Sequence, residues 1–234
     1  MNKGNAQGQA LSRKVMFQTI GSHGLELASI STLVIQSTLL LIAFGLVVSE
    51  RTSTTWNSGL FVGLLAFGVA SRIFLQPLPN IQPVTLMIFV VGAVLGWRVA
   101  VSLAIFITLL SNVVMGDGYW TVFQSLGWSV VGLIGARTSI LTGKKLNMPL
   151  LLAWLSLSAL VFDVIVTCSL ITSETTITSF VTLCLLGLPY DLLHMAGNAL
   201  FAVTFGQWLT TTLLLSRGMS EPENSVVTQH VNLG

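Results

Sequence analysis

The sequence predicts an all-α membrane protein, built as a bundle of six transmembrane helices with one additional hydrophobic helix on the N-terminal side. Two observations lead to this fold class. Hydrophobic residues make up 53% of the 234 residues and charged residues only 8%, and the mean hydropathy is +0.86. A water-soluble domain needs far more charge on its surface. The hydrophobic residues also collect in uncharged runs of about 20, the length that crosses some 30 Å of hydrocarbon.

Charges and helix breakers set the boundaries of the candidate spans. The first run lies between Glu26 and Glu50. The third and fourth runs are short and are divided only by Arg98, so we expect a near-immediate turn between two short helices. The first six runs cover residues 27–48, 59–75, 81–97, 99–115, 120–142 and 149–171.

The last apolar stretch, residues 180–215, is too long for one crossing at 1.5 Å per residue, and Gly-Leu-Pro at 187–189 interrupts it. We therefore expect a short buried or re-entrant segment at 180–187, followed by a span over 190–215. Irregular backbone at membrane depth survives only where protein or a water-filled cavity surrounds it. The break therefore indicates either an internal site nearby or a loop just outside the lipid.

This division gives four regions. A polar and disordered N-terminal segment occupies 1–26, and the extra hydrophobic helix with its linker occupies 27–58. The six-span membrane domain occupies 59–216, and a polar cytoplasmic tail occupies 217–234. Low hydrophobicity predicts disorder for both ends.

Lysine and arginine bias predicts the orientation, because these residues accumulate in cytoplasmic loops. It places the C-terminus inside and the loops 72–82, 112–124 and 172–191 outside, with Arg72 as the exception. If residues 27–48 cross the membrane, three basic residues fall outside, against the rule. Either the first helix lies in the interface, or it is a peripheral addition, or the bias does not hold there. The cytoplasmic residues in this scheme are Arg51, Arg98, Lys144, Lys145 and Arg217, and the conflicting ones are Lys3, Arg13 and Lys14.

Several function classes lack their sequence features. A net charge of +2 without a polybasic tract argues against nucleic-acid binding. Cys168 and Cys184 have no CxxC spacing, so neither zinc nor a disulfide framework is indicated. No HExxH, GxSxG or Walker motif occurs, so we expect no enzyme activity and no intrinsic cofactor. If ATP powers this protein, another subunit hydrolyses it.

Polar residues gather in the predicted outer loops. The first loop carries Asn80 and Gln82 between prolines that stiffen it. The second begins at Asn112 and leads into a helix on which Trp120, Gln124 and Trp128 share one face. This face either contacts a ligand or, through Trp120, anchors the helix at the membrane interface.

A third polar cluster lies at the start of the last span, where Tyr190 precedes Asp191, His194 and Asn198. The last three are spaced i, i+3 and i+7 and fall on one helix face. Ionisable groups in a span are costly and usually face a cavity or each other. The cluster is either part of a binding site or a structural hydrogen-bond network. Asp163, on the preceding helix, either caps a neighbouring helix or pairs with Arg72.

Small residues form a stripe along the helix predicted at 59–75. Gly59, Gly63, Ala66 and Ala70 recur at spacings of four, three and four. Such a stripe lets another helix approach closely, either within the bundle or in a partner protein.

Taken together, four segments resemble the substrate-binding S component of energy-coupling factor (ECF) transporters, most closely the members assigned to cobalamin or related corrinoids. The resemblance covers residues 59–216. The segments are Ala66–Ala70, the loop PLPNIQPVT, the turn from Leu110 to Trp120, and LPYDLLHMAGN at 188–198.

The resemblance implies a six-helix bundle in a prokaryotic cytoplasmic membrane that binds a vitamin in its outer loops. It also implies a membrane-embedded T component and two cytoplasmic ATPases, which topple the S component to release its cargo. On this basis Gly63, Ala66 and Ala70 would dock the T component. The expected substrate-binding residues are Asn80, Gln82, Asn112, Trp120, Gln124, Tyr190, Asp191, His194 and Asn198.

Other functions remain open. A self-sufficient secondary carrier would be expected to have charges inside several spans or an inverted repeat, and neither is evident in the sequence. A membrane enzyme or scaffold is permitted by the His194 cluster. Within the S-component hypothesis, the cargo is alternatively another vitamin or a queuosine precursor.

Overall fold

The computed structural model describes residues 29–51, 57–142 and 145–218, which are almost entirely helical. The predicted segment 1–26 and most of the predicted tail 217–234 lie outside the described residues. The helices are α1 (Ser29–Glu50), α2 (Ser58–Phe74), α3 (Val84–Leu95), α4 (Trp97–Met115), α5 (Trp120–Arg137), α6 (Met148–Thr167), α7 (Ile177–Phe201) and α8 (Gln207–Ser216). Two short antiparallel strands, β1 (Leu141–Thr142) and β2 (Lys145–Leu146), join α5 to α6.

The predicted all-helical class is confirmed. Within the described ranges, four helical stretches are long and apolar enough to cross a membrane, which is compatible with a multi-pass membrane protein. The arrangement of six spans plus one remains a prediction, because α2 and α3 are shorter apolar helices. The four long stretches are Ile30–Glu50, Trp97–Met115, Met148–Leu170 and Ile177–Ser216.

Capping residues explain where three of the helices begin. The side chain of Asn57 accepts a hydrogen bond from the Leu60 backbone at the start of α2, and Asn147 does the same for Leu150 at the start of α6. Thr176 and Ser179 form a reciprocal capping box at the start of α7. Each cap satisfies backbone N–H groups that have no partner inside the helix.

Two predicted boundaries shift in the structure. The turn between the third and fourth runs falls at Gly96 and not at Arg98, because Gly96 adopts φ 99°, which glycine reaches without strain. Arg98 is already inside α4. The fifth run ends at Arg137 and not at residue 142, since Thr138 is extended and leads into the β1–β2 hairpin.

The predicted break at 187–189 is wrong. α7 continues through Pro189, and a π-helical segment, Ala202–Gly206, joins it to α8 in one 40-residue helical stretch. Proline removes a single backbone hydrogen bond, whereas a full break in an apolar segment would expose several unpaired groups. The irregular backbone lies instead at the π segment, where the Thr204 hydroxyl donates to the Leu200 carbonyl at 2.8 Å.

The centre of the bundle is α3, whose residues are buried on nearly all sides. It packs against α5, α4 and α8. α6 packs against α5 and α7 packs against α6, and both also contact α3. α1 lies on the outside and contacts α4 through a small cluster of Ala43, Ile105 and Leu109. The core therefore belongs mainly to α3, α4 and α5, and most of α1 and α7 is exposed.

Charge is distributed unevenly between the two ends of the bundle. Arg98 lies 3.8 Å from Glu50, and Arg217 donates to the Val94 carbonyl at 2.5 Å, which places the ends of α1, α3 and α8 beside the start of α4. At the opposite end, Gln36 of α1 hydrogen-bonds to the loop after α4. α1 therefore runs antiparallel to α4. One end thus collects the exposed arginines Arg51, Arg98, Arg137 and Arg217.

Candidate functional site

A cavity of about 460 Å³ lies at the end of the bundle opposite the exposed arginines. It forms where α2, α4 and α6 end and where α5 begins. Its size lies within the usual range for small-molecule sites. The polar lining residues are Arg72, Gln76, Asn112, Gln124, Thr167 and Ser169, and the others are Met115, Gly116, Trp120, Val166 and Leu170.

Arg72 is the most unusual residue of this lining, because it is a cation with only 2% of its surface exposed. Its Nη1 donates to Ser111 Oγ at 2.5 Å and its Nη2 donates to Gln124 Oε1 at 3.3 Å. Its guanidinium carbon lies 4.6 Å from the centre of the Trp128 ring. In the described part of the chain, no carboxylate lies within ion-pair distance of it, and its Nε has no hydrogen-bond partner. The neighbours of the guanidinium in the described structure are therefore all uncharged.

The amide of Asn112 connects Arg72's neighbours to the cavity rim. Its Nδ2 donates to Gln124 Oε1 at 2.9 Å and to Thr121 Oγ1 at 2.7 Å. Thr121 in turn donates to Asp117 Oδ1 at 2.7 Å, and the Gln36 amide also donates to this carboxylate. Each carboxylate oxygen of Asp117 therefore accepts one hydrogen bond from within the protein.

On the other side of Trp128, hydrogen bonds continue into the bundle. The indole N–H of Trp128 donates to Thr85 Oγ1 at 3.1 Å, and Thr85 Oγ1 lies 2.8 Å from His194 Nε2. His194 Nδ1 lies 3.0 Å from Asp163 Oδ2. If the Thr85 hydroxyl donates to Nε2, the neutral imidazole carries its proton on Nδ1 and donates it to Asp163.

These contacts form one continuous polar chain, which we define as Asp117, Thr121, Asn112, Gln124, Arg72, Trp128, Thr85, His194 and Asp163. It crosses the bundle from the cavity rim to α6. Buried polar networks of this kind hold their members in one arrangement when they are satisfied. This polar chain includes three polar side chains of the cavity wall, Arg72, Asn112 and Gln124, and it is incomplete at Arg72, whose Nε has no partner among the described residues. The described residues contain no group of three or more His, Cys, Asp or Glu side chains that could hold a metal ion.

The structure brings together three of the nine predicted substrate-binding residues. Asn112, Trp120 and Gln124 line the cavity, and the predicted shared face of Trp120, Gln124 and Trp128 points inward, with Trp128 buried. Only part of the predicted loop cluster forms, because residues 166–170 take the place expected for 172–191, most of which is helix. The residues that lie away from the cavity are Asn80, Gln82, Tyr190, Asp191, His194 and Asn198.

Asn80 has a structural position in the loop between α2 and α3. It adopts φ 59°, which asparagine tolerates better than most residues. Its Nδ2 donates to the Tyr190 carbonyl at 3.3 Å and so ties the loop to α7. Gln82 follows in the same loop and is half-buried.

Asp191, His194 and Asn198 share one face of α7, as predicted. Their contacts favour a structural hydrogen-bond network over a binding site. His194 and Asn198 are buried, and Asn198 Nδ2 donates to the Leu155 carbonyl at 3.5 Å. Asp191 is half-buried and close enough to Asp163 and His194 to interact electrostatically. The two expectations for Asp163 are wrong, because it pairs with His194 and neither caps a helix nor reaches Arg72.

Sequence reasoning missed Arg72 and Thr85 as parts of the site. A signal for Arg72 was present: a single charge at the end of an apolar helix, with no acid within four residues. From the sequence we expected it to end a span, to be an exception to the orientation rule and to be a candidate partner of Asp163, but not to line a site. Thr85 gave no signal, because a threonine in an apolar run is usual.

Removing the Asp163 carboxylate tests the inner part of the polar chain. Asp163→Ala leaves the buried His194 without its acceptor, so we expect the free energy of unfolding in detergent to fall by about 1–3 kcal/mol. A double-mutant cycle with His194→Leu should give a coupling energy of about 0.5–2 kcal/mol. Glu174→Ala, at an exposed acid, is the control and should change stability by less than about 0.5 kcal/mol. Additive effects in the cycle would show that the pair contributes nothing.

The fold is a helical bundle that is compatible with a multi-pass membrane protein, and a cavity lined by both polar and apolar residues lies at one end of it. Comparisons with protein-family models, with curated proteins and with solved structures found no match to this chain.

Proposed function

We propose that this protein is the substrate-binding subunit of an ATP-driven vitamin uptake transporter of the ECF type. The observation that supports it is the cavity that α2, α4, α5 and α6 form at one end of the bundle. In this function the chain itself catalyses no reaction. A T component and two cytoplasmic ATPases supply the energy.

The resemblance in sequence suggests cobalamin or a related corrinoid as cargo. The cavity volume of about 460 Å³ suits a drug-sized molecule. A corrinoid, with its macrocycle and nucleotide arm, would require the cavity to widen. The volume therefore favours the second choice of cargo, a smaller vitamin or a queuosine precursor.

The charge distribution supports an orientation with the cavity facing outward. Arg51, Arg98, Arg137 and Arg217 are exposed at the opposite end, and the positive-inside rule assigns that end to the cytoplasm. Arg72 does not conflict with the rule, because it is buried inside the bundle and is not part of a loop. In a prokaryotic cytoplasmic membrane, the cavity would then collect its ligand from outside.

The stripe of small residues on α2 is available for a partner helix. Gly63 and Ala66 are exposed and Ala70 is half-buried. A Cβ atom added at Gly63 would meet nothing within 4 Å among the described residues. An apolar groove of about 380 Å³, whose lining includes Gly63 and Trp208, lies beside the stripe. This arrangement supports docking of a T component on this face.

A bulky residue in the stripe should separate docking from ligand binding. For Ala66→Phe we expect loss of most uptake in cells, with ligand affinity unchanged, because the added ring blocks the close approach of a helix. Vitamin uptake and ligand binding to the purified chain are the measurements. Ala153→Phe, the same change at an exposed alanine of α6, is the matched control and should leave uptake intact. Full uptake by the Ala66 variant would contradict docking on this face.

Purification from the native host in mild detergent tests the proposal as a whole. Mass spectrometry should find a membrane subunit and two ATPases with the chain, and a vitamin among the small molecules released by denaturation. Recovery of the chain alone, under conditions that preserve other membrane complexes of the same host, would contradict it.

One observation favours a second candidate, a self-sufficient secondary carrier. Arg72, Asp163 and His194 place ionisable groups inside three different helices and belong to one polar chain. Such groups are common in proton-coupled carriers. Proteoliposomes that contain the purified chain alone distinguish the two functions, since only a carrier accumulates substrate without ATPase subunits.

A further inference from the structure

We infer that the cavity takes a small organic anion, whose carboxylate pairs with the buried guanidinium of Arg72. This inference rests on the proposed function only in treating the cavity as the cargo site. It adds the chemical class of the ligand, a small acid, which differs from the corrinoid that the resemblance suggests.

The first argument is the missing counter-ion. A buried charge is normally paired, because desolvation costs several kcal/mol per ion. Within the described ranges Arg72 has only two neutral acceptors, Ser111 and Gln124, together with the face of Trp128. These groups keep the guanidinium in place but leave its charge uncompensated. A ligand carboxylate would compensate it.

The second argument is the composition of the cavity wall. Among its described lining residues, Arg72 carries the only charge. Asp117 directly follows the lining residue Gly116 in the sequence, and its carboxylate already accepts hydrogen bonds from Thr121 and Gln36. The wall therefore presents a positive charge without a competing negative one. An anion is favoured over a neutral molecule or a cation.

The third argument is geometric. A guanidinium presents a planar fork of donors that matches a carboxylate. The bond from Nη2 to Gln124 is long, at 3.3 Å, and Gln124 also lines the cavity. A carboxylate that enters from the cavity would displace this amide at little cost. Trp120, Val166 and Leu170 supply apolar surface for the body of the ligand.

The test uses three acids, benzoate, nicotinate and indole-3-acetate, each compared with its neutral amide of nearly the same shape. Binding to the purified full chain in lipid nanodiscs is measured by calorimetry and by thermal unfolding. We expect at least one acid to bind at least about tenfold more tightly than its amide, since hydrogen bonds to charged groups are the stronger ones. Equal affinity within all three pairs, or no binding by any acid, would overturn the inference.

Two variants locate the effect. Arg72→Gln should lose the preference for the acid, whereas Arg98→Gln, at an exposed arginine at the opposite end, should keep it. Gln124→Glu places a carboxylate of the same shape beside Arg72. We expect this variant to unfold at a higher temperature without ligand and to lose the preference for the acid, because it carries its own counter-ion.

Gln124→Glu keeps the test decisive if Arg72→Gln does not fold. A Gln124→Glu protein that still prefers the acid would overturn the inference. The outcome is separate from that of the proposed function, since recovery of ATPase partners depends on neither Arg72 nor Gln124. If the ATPase partners are recovered but the chain does not prefer acids over amides, the proposed transport function stands and its cargo is neutral.

Discussion

Replacing Gly92 with alanine is expected to destabilise the bundle by about 3 kcal/mol, the upper end of the range for overpacking. Gly92 lies on α3 where this helix crosses α5, and a Cβ atom there would overlap the carbonyl oxygen of Gly132. Gly135 makes the reciprocal approach to the Phe89 carbonyl. A backbone atom cannot move aside as a side chain can. The two helices would have to separate along the main interface of the core.

The measurement is the free energy of unfolding in detergent, from denaturant titration followed by circular dichroism. Gly45→Ala is the control, since a Cβ there meets nothing within 4 Å in the described structure. It should leave stability unchanged or raise it by up to about 1 kcal/mol, because alanine favours helix over glycine. Equal stability of the two variants would show that α3 and α5 do not pack as closely as described.

Replacing Trp128 with alanine is expected to lower the free energy of unfolding by about 3–5 kcal/mol. The indole is 97% buried, and it stacks on Phe162 with ring centres 4.5 Å apart. It also donates to Thr85 and lies under the Arg72 guanidinium. Its removal leaves a large cavity and separates the two halves of the polar chain. Ligand binding should fall together with stability, because Arg72 loses the surface that positions it.

Trp128→Phe separates the contribution of packing from that of the hydrogen bond to Thr85. The smaller ring keeps most of the packing and loses the hydrogen bond to Thr85, so we expect a cost of about 1 kcal/mol. Trp208→Ala, at a tryptophan with 67% of its surface exposed, is the matched control and should change stability by less than 1 kcal/mol. A Trp128→Ala protein as stable as this control would refute the role given to the polar chain.

Much of the fold was predictable from local patterns. The second helix was expected at 59–75 and is observed at Ser58–Phe74, since an apolar run with Arg72 near its end and an asparagine cap are both local features. Helical periodicity predicted that Trp120 and Gln124 share one face, but not that this face points into the bundle. The expected break at Pro189 was wrong, because the effect of proline on a helix depends on its surroundings. In water a helix usually ends or bends at proline, whereas in a long apolar helix the backbone has no better alternative.

The site was less predictable than the fold. Asn112 and Gln124 are twelve residues apart, and the turn between α4 and α5 brings their amides to 2.9 Å. Asp163 was expected to reach Arg72 or cap a helix, but α7 brings His194 closer to it. Partners of this kind are chosen by helix packing, which the spacing of residues along one helix does not encode.

The sequence alone determined the helical class, the apolar character that suits a membrane, and most helix boundaries, because these depend on composition, periodicity and capping within about 20 residues. Tertiary structure alone decided that Arg72 is buried without a counter-ion among the described residues, that His194 and Asp163 pair, and that the cavity lies between α2, α4, α5 and α6. The physical reason is that burial and electrostatic pairing depend on distances between helices. Those distances are set by close contacts such as that of Gly92 with Gly132.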